Sequence, residues 1–285
     1  MSLPEAPATD RPAAVAFRNV TKIYGVGTPR EYVAISDVSF TIPDVADHGE
    51  ISSFLGPSGC GKSTVLRLVA GLAPQHPPTS GSVTVLGEQI RGPAADRGMV
   101  FQDYTSFDNR TVLDNVAFGL ECRGVGRPER EAEARDWIAK VGLDPTRDAT
   151  KYPHELSGGM RQRVAIARTL VLRPRIILMD EPFGALDPAT RLDMQDLLVA
   201  LWREVQATVL FVTHSVEEAV YLGDRLFLMG TTPGRIVEEV RLPAASAPAR
   251  EAQSQPWFHD QVQRLHTRIE EIEAAALPSS SRAPS

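Results

Sequence analysis

The fold is decided by one stretch, Gly56-Pro57-Ser58-Gly59-Cys60-Gly61-Lys62-Ser63-Thr64, which has the G-x-x-x-x-G-K-S form of a phosphate-binding loop. It follows an apolar run over 51–55 and opens another over 63–70, so a strand, a loop and a helix are predicted in that order. Glycines let successive backbone N–H groups converge on a polyphosphate, and the helix N-terminus favours an anion. We therefore expect all nine residues to bind a nucleotide, with Lys62 at its β- and γ-phosphates and the Ser63 hydroxyl on Mg²⁺.

A phosphate-binding loop occurs in many protein classes, so the motifs that accompany it decide the class. Tyr24 precedes the loop, and five further motifs follow it: Val100-Phe101-Gln102, Leu156-Ser157-Gly158-Gly159-Met160-Arg161-Gln162-Arg163, Ile176-Ile177-Leu178-Met179-Asp180-Glu181, Ala185-Leu186-Asp187 and His214. In this order they resemble the motifs of ATP-binding cassette (ABC) ATPases over about residues 15–241. The one departure in the signature motif is Met160, where Gln is commoner.

The resemblance implies a fold and a set of roles. The fold is α/β, a P-loop ABC nucleotide-binding domain with a RecA-like core, an antiparallel β subdomain and an α-helical subdomain. Tyr24 would stack on adenine, and Asp180 would join Ser63 and Gln102 as ligands of Mg²⁺. Glu181 would orient and polarise the attacking water, while Gln102 and His214 would sense the γ-phosphate of ATP.

The hydrophobic pattern supports this assignment independently. The runs 176–179 and 209–212 are continuously apolar, which is typical of parallel strands buried on both faces. Ligands of open parallel sheets lie outside the carboxyl ends of the strands, so we expect one edge to carry the loop, Asp180-Glu181 and His214. Ser215 and Glu218 form a capping-box pattern, which predicts a helix directly after His214.

The signature motif predicts a second anion site. Ser157 can cap the following helix, and Gly158 and Gly159 leave its first N–H groups accessible. One chain cannot easily place two helix N-termini on opposite sides of one γ-phosphate, whereas two chains arranged head to tail can. The resemblance implies that arrangement, in which Ser157, Gly158 and Gly159 contact the ATP of a second copy of the chain.

The composition of the chain indicates its cellular compartment and limits the kinds of partner that it can bind. The chain has 285 residues, 42% of them hydrophobic, and a net charge of −6, which argues against a nucleic-acid surface. Cys60 and Cys122 lack metal-site spacing and fit a reducing compartment. Cys60 is either a small residue that fits the loop, which we favour, or an oxidation-sensitive thiol. No run of 18 apolar residues and no signal-peptide pattern occurs.

The expected organisation has five parts. Residues 1–14 and 277–285 are expected to be disordered tails, and 15–241 the ABC ATPase domain with a helical subdomain at about 103–160. A linker is expected at 242–256 and a helix at 257–276. A surface loop of unknown use is expected within 43–50.

The lack of a membrane-spanning segment in this sequence points to a separate integral-membrane permease. The stretches 153–163, 179–187 and 233–237 resemble the ATPases of nitrate, sulfonate, taurine and bicarbonate importers. That resemblance implies uptake of a small anionic solute, a periplasmic or lipid-anchored solute-binding protein, and a peripheral position on the cytoplasmic face of the inner membrane. Two alternatives stay open, the motor of an exporter and an ABC ATPase with no transport role.

The segment after Gln102 departs from the importer pattern, which often has a Pro-Trp pair there. Its side chains Tyr104, Phe107 and Asn109 are candidates for a groove that receives a cytoplasmic helix of the permease. The alternative is that the aromatic residues only pack inside the helical subdomain.

Overall fold

The computed structural model describes residues 11–45, 49–103, 105–231 and 233–276. The predictions for residues 1–10 and 277–285, for 46–48 of the expected surface loop, and for Tyr104 lie outside these described residues. The described chain forms two compact units. Unit 1 contains the residues before 94, apart from Gly49, and those after 210, whereas unit 2 contains Gly49 and the residues from 94 to 210.

The described residues contain ten β-strands and eight α-helices. The strands are β1 (Val15–Tyr24), β2 (Tyr32–Ile42), β3 (Ile51–Leu55), β4 (Ser80–Val85), β5 (Glu88–Gln89), β6 (Arg97–Val100), β7 (Ile176–Asp180), β8 (Thr208–Val212), β9 (Arg225–Gly230) and β10 (Arg235–Arg241). The helices are α1 (Lys62–Ala70), α2 (Val112–Cys122), α3 (Arg127–Lys140), α4 (Gly158–Leu170), α5 (Pro188–Val205), α6 (Val216–Leu222), α7 (Ala249–Ala252) and α8 (Pro256–Ala276).

Unit 1 contains the small antiparallel sheet that alternating apolar residues predict. Its strand order is β2-β1-β4-β5, and each neighbouring pair is antiparallel. One face of β1 and β2 is buried, with Phe17 and Phe40 as register partners whose rings stack at 4.5 Å. The prediction of an antiparallel sheet is confirmed.

A second set of strands in unit 1 carries the phosphate-binding loop. Strand β9 pairs parallel with β3 and antiparallel with β10. Phe54 of β3 stacks on Phe227 of β9 at 5.0 Å, and both rings lie within 5.3 Å of Phe40 from the antiparallel sheet. These aromatic contacts join the two sheets of unit 1 through one buried core, which fixes β2 next to the end of β3.

The C-terminal part of unit 1 packs on the same core. Helix α8 buries Phe258 and Leu265, and it packs against α6. Arg264 and Arg268 of α8 form ion pairs with Glu238 of β10 at 2.9 and 3.4 Å. Helix α7 lies within the segment expected to be a linker, and its Ala249 is fully buried.

Unit 2 combines the parallel pair β6 and β7 with a layer of helices. Strand β7 is buried along its whole length, as its continuous apolar run predicts. Helices α2, α3 and α4 pack on one another around Trp137, which is 1% exposed. In the part of the chain that the structure describes, no helix is long and apolar enough to cross a membrane.

Candidate functional site

The phosphate-binding loop leaves β3 and enters α1 as predicted. Gly61 adopts a φ of 92°, and a Cβ there would lie 2.4 Å from Ile35 Cγ2, so only glycine fits. Lys62 is 6% exposed, and its Nζ donates to the carbonyls of Gly56 and Pro57 at 2.7 and 3.0 Å. The lysine ammonium therefore lies inside the curve of the loop, at the N-terminus of α1, where an anion is favoured.

Gly234, which lies outside the phosphate-binding motif, packs against the loop. Gly234, between β9 and β10, donates its N–H to Ala34 O, and its carbonyl accepts from Ser36 N. A Cβ on Gly234 would lie 2.2 Å from Cys60 O. The chain beyond β9 thus packs directly on the loop, and a larger residue at position 234 would displace it.

Cys60 supports the packing interpretation of this thiol. The residue is 1% exposed, and burial raises the pKa of its thiol above the usual range, although Lys62 lowers it in part. A neutral buried thiol is a poor nucleophile. Cys60 therefore acts as a small apolar residue that fills the loop.

Tyr24 lies next to the loop, at the end of β1. Its hydroxyl oxygen is 3.4 Å from Thr64 Oγ1, at the start of α1. The Lys22 ammonium lies 5.4 Å from the centroid of the Tyr24 ring and donates to Pro77 O at 2.9 Å. These contacts hold the ring of Tyr24 beside the loop.

His214 follows β8 in unit 1, and the structure brings it to the same edge as the loop. Thr213 N donates to Phe54 O of β3, two residues before Gly56. Thr213 Oγ1 donates to Glu218 Oε2 at 2.6 Å and accepts from Ser215 N at 3.0 Å. The Ser215 hydroxyl caps α6 by accepting from Glu218 N, as predicted. His214 is thereby flanked on both sides by fixed backbone, and it is exposed.

Asp180 is the last residue of β7 in unit 2, and Glu181 follows it directly. Asp180 is 3% exposed, as the last residue of a buried strand. Glu181 adopts a φ of +47°, which is rare for a residue other than glycine and often occurs at functional turns. The turn that follows is anchored by Phe183, which is fully buried. Of the two adjacent carboxylate residues, Asp180 is therefore buried and Glu181 is partly exposed.

The signature motif forms a capped helix start in unit 2. The Ser157 hydroxyl accepts from Met160 N at 3.3 Å, and α4 begins at Gly158. Ser157 is exposed and Gly158 and Gly159 are partly exposed, so the N-terminus of α4 faces solvent. An accessible helix N-terminus therefore lies where the sequence predicts an anion site.

Gln102 follows β6 and is exposed, and the segment after it is held by a residue that the sequence does not single out. Asn115 of α2 is fully buried. Its Nδ2 donates to the carbonyls of Phe107, Arg110 and Thr111, and its Oδ1 accepts from Phe107 N at 2.8 Å. Asn115 thus fixes the backbone that presents Phe107.

Phe107 lines a groove of about 600 Å³ in unit 2. Its ring is 37% exposed, packs on Phe118 at 4.6 Å, and lies 5.5 Å from the Arg168 guanidinium. Arg168 in turn donates to Thr105 O and Thr105 Oγ1 at 2.7 and 2.8 Å. The apolar residues that line the groove include Met99, Phe101, Phe107, Phe118, Cys122 and Leu172.

The candidate residues divide between the units. Unit 1 carries the loop, Tyr24 and His214, and unit 2 carries Gln102, Ser157, Gly158, Gly159, Asp180 and Glu181. Sequence reasoning missed Gly234 and Asn115, because their roles depend on partners distant in the chain. The only local signal for Gly234 is that it belongs to a Pro-Gly turn. The only local signal for Asn115 is that it is a polar residue within an apolar helix face.

Comparison with known proteins agrees with this geometry. The model of the ABC transporter family matches residues 35–184. The taurine import ATP-binding protein TauB of Rhizobium johnstonii is 44% identical, over 85% of this chain and 92% of that protein. The nitrate import ATP-binding protein NrtD of Synechocystis sp. is 46% identical, over 76% of this chain and 78% of that protein.

A solved structure agrees with the fold. The ATP-binding cassette MJ0796, in a dimeric post-hydrolysis state bound to ADP and Pi, matches with a TM-score of 0.67 and 33% sequence identity. The match covers 81% of this chain and 99% of that one. This chain belongs to the ABC transporter family and is an ATP-hydrolysing cassette of that family.

Proposed function

We propose that this chain is the ATP-hydrolysing subunit of an importer that takes up a small anionic solute through a separate membrane permease. The observation that carries the proposal is the phosphate-binding loop, with Lys62 inside its curve and Gly61 at the start of α1. That cradle is suited to a nucleoside triphosphate. The curated relatives named for taurine and nitrate import support import as the direction and a small solute with an anionic oxygen group.

The residues present fit a magnesium ion bound with the nucleotide. Mg²⁺ prefers a few protein oxygen ligands together with phosphate oxygens and water. In our proposal Ser63, Gln102 and Asp180 provide a hydroxyl, an amide oxygen and a carboxylate. When bound, the ion would neutralise charge that develops on the phosphates.

The chain's own residues would perform the remaining tasks of hydrolysis. Lys62 would hold the β- and γ-phosphates, and Tyr24 would stack on adenine. Glu181 would accept a proton from the attacking water, while His214 and Gln102 would contact the γ-phosphate. Positioning and charge neutralisation dominate phosphoryl transfer, so no covalent nucleophile is needed.

The second half of each site would come from a second copy of the chain. The exposed N-terminus of α4, capped by Ser157, is suited to approach a γ-phosphate bound by another chain. The MJ0796 cassette is dimeric in its ADP- and Pi-bound state. We propose a head-to-tail dimer in which Ser157, Gly158 and Gly159 complete the partner's site.

The groove around Phe107 is our proposed contact with the permease. It combines an exposed aromatic side chain with an apolar wall and a nearby guanidinium, which suits an amphipathic helix. Phe107 packs on Phe118 and is also exposed, so internal packing and docking are compatible roles. Asn109 is exposed in the same segment. The chain would then lie on the cytoplasmic face of the inner membrane, and a periplasmic or lipid-anchored solute-binding protein would deliver the solute.

Uptake by whole cells tests the proposal. A strain lacking this chain should lose import of one anionic solute, with taurine, other sulfonates, nitrate and bicarbonate as the solutes assayed. Wild-type chain should restore uptake, and Lys62→Ala should not. Normal uptake of all these solutes in the deletion strain would contradict the importer assignment.

The docking surface needs a separate variant. Phe107→Ala should bind ATP normally yet fail to co-purify with the permease. Trp257→Ala is the matched control, since Trp257 is an aromatic residue of similar exposure, 39%, on α8. Equal recovery of the permease with Phe107→Ala and with wild type would remove Phe107 from the interface.

A further inference from the structure

Tyr32, at the start of β2, is a large aromatic residue that stays half exposed beside the phosphate-binding loop. Its relative exposure is 51%. Its hydroxyl donates to Gly59 O at 3.3 Å, in the loop itself. None of the motifs that assign the nucleotide site includes this residue.

Strand pairing places Tyr32 directly opposite Tyr24. The two residues are register partners in the antiparallel pair of β1 and β2. Directly opposed residues project from the same face, with Cβ atoms roughly 4.5–5.5 Å apart. The hydroxyl of Tyr24 reaches Thr64 at the start of α1, while that of Tyr32 reaches Gly59. The two rings therefore contact the loop at two separate points.

The position of Tyr32 is fixed by its surroundings. Ile35, three residues later in β2, packs against Gly61 so closely that a Cβ there would collide with it. The hairpin before Tyr32 is held by its own hydrogen bonds, including Gly27 N to Glu31 Oε2 at 2.9 Å and Thr28 Oγ1 to Gly25 O at 2.7 Å. Because the backbone on both sides of Tyr32 is held and its hydroxyl donates to Gly59 O, binding a ligand to the ring costs less ordering entropy.

We propose that Tyr32 is a second aromatic contact for the adenosine part of the nucleotide, beside Tyr24 on the same face of the sheet. The inference rests on the proposed nucleotide site, since phosphates held in the loop bring the base and ribose to its rim. Flat aromatic rings bind bases through stacking, which does not depend on the base's hydrogen-bonding pattern. Tyr32 therefore contributes affinity for the nucleoside without selecting adenine over guanine.

Binding of ADP and of inorganic pyrophosphate, measured by calorimetry, tests this contact, because the two ligands differ by the adenosine group. Tyr32→Ala should weaken ADP about tenfold, within the range of aromatic stacking. Pyrophosphate should change by less than about twofold on the same principle, since it has no base to stack. GDP should weaken as much as ADP. Tyr32→Phe keeps the ring and should retain ADP affinity, which separates stacking from the hydrogen bond to Gly59.

Two controls and three contrary results complete the test. Val26→Ala truncates another exposed residue of the same hairpin, 63% exposed, and should leave ADP affinity unchanged. Tyr32→Leu keeps apolar bulk without a π face, and it replaces Tyr32→Ala if that variant unfolds. Unchanged ADP affinity in Tyr32→Ala, or equal weakening of ADP and pyrophosphate, would overturn the proposal. Wild-type chain that binds pyrophosphate but not ADP would instead overturn the nucleotide site itself.

Discussion

We propose binding roles for the phosphate-binding loop of unit 1 and the segment 105–111 of unit 2, and the two are held in different ways. The loop is shaped by glycines and by contacts between backbone atoms, such as Gly234 N to Ala34 O. The segment 105–111 is held by side chains, mainly the buried amide of Asn115 and the guanidinium of Arg168. In our proposal the first is a cradle for one chemical group, the polyphosphate, and the second presents a surface to the permease.

The difference has a physical reason. A polyphosphate has the same charge and shape in every nucleotide, so a backbone cradle needs few residue types and a fixed spacing. A protein partner differs from system to system, and a loop braced by side chains can change its surface while its supports remain. A substitution in the phosphate-binding loop should therefore have its largest effect at a residue that contacts the ligand. A substitution in the segment 105–111 should have its largest effect at a side chain that supports the segment.

The largest expected effect lies in the chemistry. Glu181→Gln keeps the shape of the side chain but cannot accept a proton, so ATP turnover should fall about 10²- to 10⁴-fold. ATP binding should stay near the wild-type value. Steady-state turnover and equilibrium binding check the two parts, with Glu204→Gln on α5 as a carboxylate control. Near-normal turnover would show that another group activates the water.

The next largest expected effect concerns ATP binding by the phosphate-binding loop. Lys62→Ala removes a charge-assisted contact of about 1.5–3 kcal/mol, so ATP affinity should fall roughly 10- to 150-fold. Lys140→Ala removes a partly exposed lysine at the end of α3, which pairs with Asp136 and Glu204, and should leave ATP affinity unchanged. A titration with a nonhydrolysable ATP analogue measures both variants. If Lys62→Ala binds the analogue as wild type does, the assigned loop is not the phosphate site.

The next expected effect is smaller and concerns the contribution of the segment 105–111 to the free energy of unfolding. Asn115→Ala removes the hydrogen bonds to Phe107, Arg110 and Thr111, and the free energy of unfolding should fall by about 2–3 kcal/mol. Asn109→Ala, six residues earlier and exposed, should change it by less than about 0.5 kcal/mol. Chemical denaturation followed by fluorescence distinguishes them. Equal stability of the two variants would mean that Asn115 does not brace the segment.

The smallest expected effect concerns the rates at which a thiol reagent labels the two cysteines, with no loss of function. Cys60 is buried in the loop, whereas Cys122 is exposed beside the groove. At pH 8 a thiol reagent should label Cys122 rapidly and Cys60 only on unfolding, because burial raises the pKa of the Cys60 thiol. Cys122→Ser should abolish the rapid phase. Rapid labelling in Cys122→Ser would show that the loop opens and exposes Cys60.

Several buried strands and helix starts could be predicted from local sequence patterns. Continuous apolar runs indicated the buried strands β3, β7 and β8, and Ser157 and Ser215 marked the starts of α4 and α6. These features depend on residues within one turn or one strand, so the sequence carries them directly.

The features that could not be predicted depend on distant partners or on backbone conformation. Gly234 acts through Ala34 and Cys60, which lie more than 170 residues earlier. The positive φ of Glu181 follows from a turn anchored by buried Phe183, and no residue type signals it. The register that opposes Tyr24 and Tyr32 requires knowledge of the strand pairing.

The central claim is that each nucleotide site is completed by the signature motif of a second copy, and one measurement tests it directly. Size-exclusion chromatography with light scattering should show that Glu181→Gln forms a dimer in Mg²⁺-ATP and is monomeric without nucleotide. Adding Ser157→Arg blocks the N-terminus of α4 by bulk, and the double variant should bind ATP yet stay monomeric. If the double variant dimerises as well as Glu181→Gln alone, Ser157 does not contact the partner's nucleotide and the head-to-tail arrangement is wrong.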